Sequence, residues 1–321
     1  MSTSPSTSTK FTYDASHQNQ IWGTIALILF IFSWLASLAS PIIIITLIIQ
    51  QQITYAVILI SIIVLCYVIP FQQTERIRSF FSLGSTKYFR SSSLTYDTNV
   101  LQNLQKKKNN QLLCVHPHGI FCMGWSILFG RGAELAHIKF CFSTALYNSP
   151  FFRVLSKLIG NPMSADKNTF MKLMSKGNSL ALIPGGFESA SIHSSTQPRV
   201  HVSKKGFIKY ALVYGYELVP VYVFNEHKTY HNAQGFYKFR FWLNSFGLPG
   251  ILPFGKWWCP LLPKSEVDIH IVVGKGLQLP VIAKPTREEV ELWHGIYVKY
   301  LIDVYDTNKN RFGEKKSLEV W

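Results

Sequence analysis

The sequence predicts an α/β domain preceded by an N-terminal transmembrane helical hairpin. Two observations carry that reading. Residues 21–70 contain no Lys, Arg, Asp or Glu and form two apolar arms separated by three glutamines. From Gln111 onward, short β-rich runs (LLCV, LALIPGG, LVPVYVF, VDIHIVV) alternate with longer helical segments such as SPFFRVLSKLIG and TREEVELWHGIYVKYLIDVYD. A chain of 321 residues, 48% of them hydrophobic, can bury a sizeable core.

In chain order, residues 1–20 are Ser/Thr-rich and read as a disordered cytosolic tail. Residues 21–70 are the hairpin. Its second arm, 53–70, is roughly 27 Å long as a helix, enough for one span. The first arm, 21–49, is longer than one span needs, and Pro41 predicts a tilt, a kink or a shorter helix there. Two long arms do not match the short apolar core of a cleaved signal peptide. Lys10 precedes the hairpin, and Glu75, Arg76, Arg78, Lys87 and Arg90 follow it, so both termini are expected in the cytosol. Residues 71–110 read as a connector ending in Lys106, Lys107 and Lys108, and residues 111–321 as a cytosolic-facing α/β domain.

Charge and cysteines narrow the function. Lys and Arg outnumber Asp and Glu by 32 to 17, a formal +15, which suits anionic lipid headgroups, phosphate-bearing small molecules or nucleic acid. The apolar arms favour the membrane over nucleic acid. Cys66, Cys114, Cys122, Cys141 and Cys259 form no CxxC pair, as expected for thiols in a reducing compartment. The last helix has a starting signal, a capping box of Thr286 and Glu289. Its Val290, Trp293, Tyr297, Tyr300, Leu301 and Val304 recur at helical spacing and read as core.

Three segments carry candidate chemistry. VHPHG places His116 and His118 around Pro117 at the end of a strand, followed by Gly119. Active sites of open α/β sheets sit at such strand ends. The local residues admit a base, a metal ligand or an ordinary turn. A neutral imidazole accepts a hydroxyl proton at cytosolic pH, whereas a metal site lacks its remaining ligands. LALIPGGFESASI runs a strand into Gly185 and Gly186, whose N–H groups suit an oxyanion, then Glu188 and Ser189; it lacks the GxSxG elbow of a hydrolase. VSKKGFIKY sets Lys204, Lys205 and Lys209 around Gly206 and Phe207, cations beside an aromatic that suit phosphate and adenine groups.

HPHG, PGGFES, KKGF followed by ELVPVYVFNE, VVG at 272–274 and PTREEVELWHGIYVKYLIDVYDTNKNRFG occur here in order, behind paired membrane arms. In this the chain resembles the diacylglycerol O-acyltransferase type 2 family, which includes monoacylglycerol and wax-alcohol acyltransferases. The resemblance implies a glycerolipid-acyltransferase-like mixed sheet with flanking helices. It also implies transfer of an acyl group from acyl-CoA to diacylglycerol at an endoplasmic reticulum membrane or lipid-droplet surface, with no metal and no cofactor. A monoacylglycerol or fatty-alcohol acceptor is an alternative, as is a non-catalytic lipid-binding protein on the same fold.

By the resemblance His118 is the general base, His116 assists it, and Pro117, Gly119, Gly185 and Gly186 shape the oxyanion site. Lys204, Lys205, Gly206, Phe207 and Lys209 would bind acyl-CoA or lipid. The implied partners are acyl-CoA, a lipid alcohol and membrane lipids, without nucleic acid and with a homo-oligomer allowed. Two departures stand out: Ser189 occupies the usual glutamate position one residue beyond Glu188, and Lys204 stands where the family often has Arg. The His-x4-Asp dyad of glycerophospholipid acyltransferases is absent, since the count reaches Phe121 from His116 and Met123 from His118. Glu188 is therefore the first candidate to orient the imidazole and Asp166 the second.

Overall fold

The computed structural model describes residues 7–14, 20–130 and 133–321. Its elements run β1 (Thr7–Asp14), α1 (Gln20–Ile49), α2 (Ile53–Val68), α3 (Glu75–Tyr88), β2 (Ser91–Asp97), α4 (Thr98–Gln105), β3 (Gln111–His116) and α5 (Met123–Gly130). There follow β4 (Lys139–Phe142), α6 (Thr144–Asn148), α7 (Pro150–Ile159), β5 (Pro162–Ser164), α8 (Lys167–Ser175), β6 (Leu180–Leu182), α9 (Gly186–Ser191) and β7 (Arg199–Val200). The remainder is α10 (Gly206–Tyr214), β8 (Glu217–Phe224), β9 (His231–Asn232), α11 (Tyr237–Ser245), β10 (Pro253–Phe254), β11 (Asp268–Val273), β12 (Leu277–Gln278), α12 (Arg287–Asn308) and β13 (Glu319–Val320).

The predicted mixed sheet is present. Its order is β1-β2-β11-β8-β3-β6-β4-β5, with β12 also paired to β8. The strands from β8 to β5 are parallel and place β3 near the centre, with Leu112 opposite both Leu180 and Leu218. β11 is antiparallel to β8, β2 is parallel to β11, and β1 closes the edge antiparallel to β2.

Alternation along β3 assigns its side chains to two cores. Leu113 and Val115 join the cluster under α1, α3, α5 and α7. Leu112 and Cys114 join the one formed with Phe170 of α8, Ile208 of α10 and Tyr297 of α12. Helices therefore cover both faces, and a strand buried on both faces reads as an uninterrupted apolar run. The capping box of α12 forms as expected: Glu289 N donates to Thr286 Oγ1 at 3.2 Å, and Thr286 N to Glu289 Oε2 at 2.8 Å.

Two expectations about organisation change. The 71–110 stretch is not a connector, because α3 packs along α1 and β2 is an inner strand of the sheet. SSSLTYD is polar enough to disguise a strand whose five middle residues are all buried. The tail also contributes, through β1, to the sheet edge; the rest of residues 1–19 lies outside the described residues.

The apolar arms are both helices. α1 is long and apolar enough to cross a membrane by length and composition, and it runs unbroken through Pro41. The Pro41 nitrogen cannot donate to the carbonyl of Ser37, but the Ser40 hydroxyl does so at 2.9 Å, and the helix continues. The first half of α1 packs on the domain, with Phe30 against Phe152 and Trp34 against Phe121. Beyond Pro41 its isoleucines are largely exposed, as are most side chains of α2, a 16-residue helix roughly 24 Å long. Such a surface is stable in lipid and not in water, so the protein is membrane-associated.

Candidate active site

β3 ends at His116, and the chain turns through a cis peptide at Pro117, then His118 and Gly119. The two histidines separate at once. His116 lies on the same face of β3 as Leu112 and Cys114, 1% exposed, with Nε2 3.0 Å from the hydroxyl of Tyr297 on α12. Burial pulls its pKa down to about 3, so it stays neutral as a bridge between sheet and helix.

His118 lies past the strand end and is half-buried. Its Nδ1 is 2.9 Å from the carbonyl of Gly119. A carbonyl only accepts, so Nδ1 carries the proton and Nε2 is left with its lone pair. Burial lowers the pKa of this imidazole; the Gly119 carbonyl opposes that shift, Lys204 adds to it, and Glu188 opposes it. The result is a neutral base at cytosolic pH. Its backbone N–H donates to Ser189 Oγ at 3.3 Å, which ties the HPHG turn to α9.

Cys122 Sγ lies 3.4 Å from each ring nitrogen of His118, a neighbour that would suggest a Cys–His nucleophile. Burial and then Glu226 push this thiol well above its ordinary range, so it remains protonated and is a poor nucleophile.

The carboxylates do not fall where they were sought. Glu188 Oε2 accepts from Lys204 Nζ at 2.7 Å, so these two candidates are brought together as an ion pair that influences His118 only through space. Asp166 caps α8, accepting from Thr169 N at 2.9 Å.

The carboxylate built into the turn is Glu226, which follows β8. Because β8 is the parallel neighbour of β3, with Tyr222 opposite His116, the residues after both strands meet at one end of the sheet. Glu226 is 1% exposed and accepts from Met123 N at 3.0 Å and Gly124 N at 2.7 Å, the first N–H groups of α5. Burial nevertheless raises its pKa to about 7. It also explains Gly119: φ is +66° there, and a Cβ would fall 2.7 Å from Glu226 Cγ, closer still to Oε1. The sequence signal was the Glu of VFNE directly after a strand, unreadable until the strand order was known.

The remaining candidates divide. The N–H of Gly186 donates to the carbonyl of Ile183 at 3.3 Å and closes the turn that starts α9. Lys209 is exposed, and Lys205 Nζ is 3.5 Å from Glu291 Oε1. Phe207 does not face a ligand: it is buried, with its ring 5.4 Å from that of Tyr297, so helical periodicity sends it to the core. Nearby His193 is buried, and burial first, with His118 among the lesser causes, lowers its pKa to about 4, so it is neutral beside the site.

Comparison with known proteins bears on this geometry. Residues 48–320 match the family model described as diacylglycerol acyltransferase. Diacylglycerol O-acyltransferase 2 of Xenopus laevis is 30% identical over 227 residues, 64% of this chain and 62% of that protein. The human protein of that name is 29% identical over 236 residues, 66% and 60% of the two chains. Human acyl-CoA wax alcohol acyltransferase 1 is 30% identical over 231 residues, 64% and 68%. The matched region thus spans less than two thirds of the two diacylglycerol O-acyltransferase 2 proteins. Matched over most of its length, with the HPHG turn, the PGG turn and the VFNE carboxylate converging at one end of its sheet, the chain belongs to the diacylglycerol acyltransferase family.

Proposed function

We propose that this protein transfers a fatty acyl group from acyl-CoA to the free hydroxyl of diacylglycerol, giving triacylglycerol and CoA. The observation that carries the reading is the state of His118: Nδ1 is tied to the Gly119 carbonyl, Nε2 is an acceptor, and burial keeps the ring neutral. Nε2 takes the hydroxyl proton as the alcohol oxygen attacks the thioester carbonyl. The N–H groups of Gly119 and Gly185 then serve the tetrahedral oxyanion, the role of Gly186 being limited by its bond to Ile183. Collapse expels the CoA thiolate, which takes the proton back from the imidazolium.

Glu188 favours the imidazolium at that stage and Lys204 disfavours it. Lys204, Lys205 and Lys209 suit the phosphates of CoA. Both ends of the helical hairpin return to one sheet, through β1 and β2, which supports placing both on the same side of the membrane. An endoplasmic reticulum or lipid-droplet location with cytosolic termini fits that arrangement.

Purified protein in detergent, given labelled acyl-CoA and a panel of diacylglycerol, monoacylglycerol and fatty alcohol, tests the proposal. Triacylglycerol as the main product is expected. A main product from either other acceptor would replace the substrate, and no ester at all would replace the enzyme with a lipid-binding protein.

A further inference from the structure

Helix α11, YKFRFWLNS, is built inside out. Its inward side is polar: Arg240, 6% exposed, donates to the carbonyls of Ser191 and Ala233, and Asn244 bonds both Ser191 Oγ and Gly250 N. Its outward side is aromatic, with Phe239, Trp242 and, just past the helix, Phe246 exposed. These three rings pack on one another, with centroids 5.6 Å and 4.9 Å apart. A helix of a water-soluble surface has the opposite polarity.

The aromatic face continues into the segment after it, where Phe254, Trp257 and Trp258 are exposed, Trp257 by 92%. That segment is held in place, since β10 pairs with β9 and Gly255 N donates to the Pro260 carbonyl. Its amino acids also share a charge bias. From residue 233 to 264 there is no Asp or Glu, against Lys238, Arg240, Lys256 and Lys264.

A relay of ring contacts links this surface to the membrane hairpin. Gly255 lies against the ring of Tyr230, whose centroid is 5.4 Å from Phe121, which in turn is 5.8 Å from Trp34 of α1. On its other side α11 grips the end of α9, the helix whose Ser189 holds the His118 backbone. Phe121, in the turn that follows His118, thus lies between the hairpin and the segment that carries the exposed tryptophans.

We propose that α11 and the 246–258 segment form a second membrane-contact surface that lies in the headgroup–acyl boundary beside the hairpin. The outward rings enter the upper acyl region, indole N–H groups remain at headgroup level, and the exposed Lys238 meets lipid phosphate. The hairpin anchors the chain, and this surface fixes how the domain lies on the bilayer. The inference rests on membrane association and not on acyl transfer.

Full-length protein reconstituted into phosphatidylcholine vesicles, with or without bromines on the acyl chains, tests it. Trp257→Phe and Trp258→Phe each remove one fluorophore from an exposed position while keeping an aromatic ring. The parent-minus-variant emission isolates that indole. The expected difference spectrum is blue-shifted relative to detergent-free aqueous indole and loses intensity in brominated vesicles, more with bromines near the headgroup than near the chain end. Emission at the position of water-exposed indole, unquenched by either lipid, would overturn the proposal. Blue-shifted emission insensitive to bromine would also overturn it, assigning the face to a protein partner or a second copy. None of these readings depends on turnover.

Discussion

Replacing Glu226 by Gln probes the buried carboxylate that organises the HPHG turn. In the parent, folding raises the pKa of this group from 4.5 to about 7. Between those values the folded state holds a proton that the unfolded chain has released. The stability tied to that proton is fully present below pH 4.5 and is lost as pH rises through 7. The shift corresponds to about 3 kcal/mol across the window, at 1.36 kcal/mol per pH unit.

The amide abolishes the slope and adds a pH-independent cost. The carboxylate accepts from both Met123 N and Gly124 N, whereas an amide offers one oxygen and turns its NH2 toward the other donor, at about 1–3 kcal/mol. Unfolding in detergent can be followed with a thiol-reactive dye, because Cys114 and Cys141 are buried. The stability of the parent minus that of Glu226→Gln should fall as pH rises from 4.5 to 7 and flatten above. Taking the difference cancels the buried histidines, which destabilise in the opposite direction. A pH-independent difference would refute the assignment of a proton to Glu226.

The histidines themselves predict acid lability: His116, His193 and His227 are held neutral by burial at about 3, 4 and 3, against 6.5 when unfolded. Their contribution is present above pH 6.5 and is lost as pH falls toward those values, and the unfolding midpoint of the Glu226→Gln protein should drop below pH 6.5. Lys204→Ala should move the acidic limb of kcat/KM to higher pH, and Glu188→Gln to lower pH, because the two side chains act on His118 with opposite sign; the pair itself, half-exposed, is worth at most about 1 kcal/mol of stability. Tyr297→Phe should lower stability by about 1–3 kcal/mol, since His116 Nε2 loses its partner in the core, while activity per folded molecule persists.

Much of this architecture was legible in the residues. Uncharged arms, apolar strand runs and the Thr286 capping box are local signals, and each led to the element predicted. β2 was not legible, because Ser91–Asp97 is polar and owes its burial to β11 and β1, partners distant in sequence. The site followed the same division. His118 at a strand end is a local feature of HPHG. Its surroundings are assembled by strand order: Glu226 arrives because β8 lies beside β3, and His116 departs toward α12 because strand side chains alternate. Nor could spacing show that Glu188 would be engaged by Lys204 or that Phe207 would turn into the core. In α11, helical periodicity shows that an aromatic face exists without saying which way it points.

The most direct test of the account is His118→Ala, measured for triacylglycerol formation from labelled acyl-CoA and diacylglycerol alongside the unfolding midpoint. A lost general base should cost about 10²–10⁴-fold in turnover while the midpoint stays near the parent's, since among the described residues the half-buried imidazole bonds the neighbouring Gly119 carbonyl and the Cys122 thiol alone. Product formed at the parental rate by a folded His118→Ala protein would contradict the central claim, that this imidazole takes the proton.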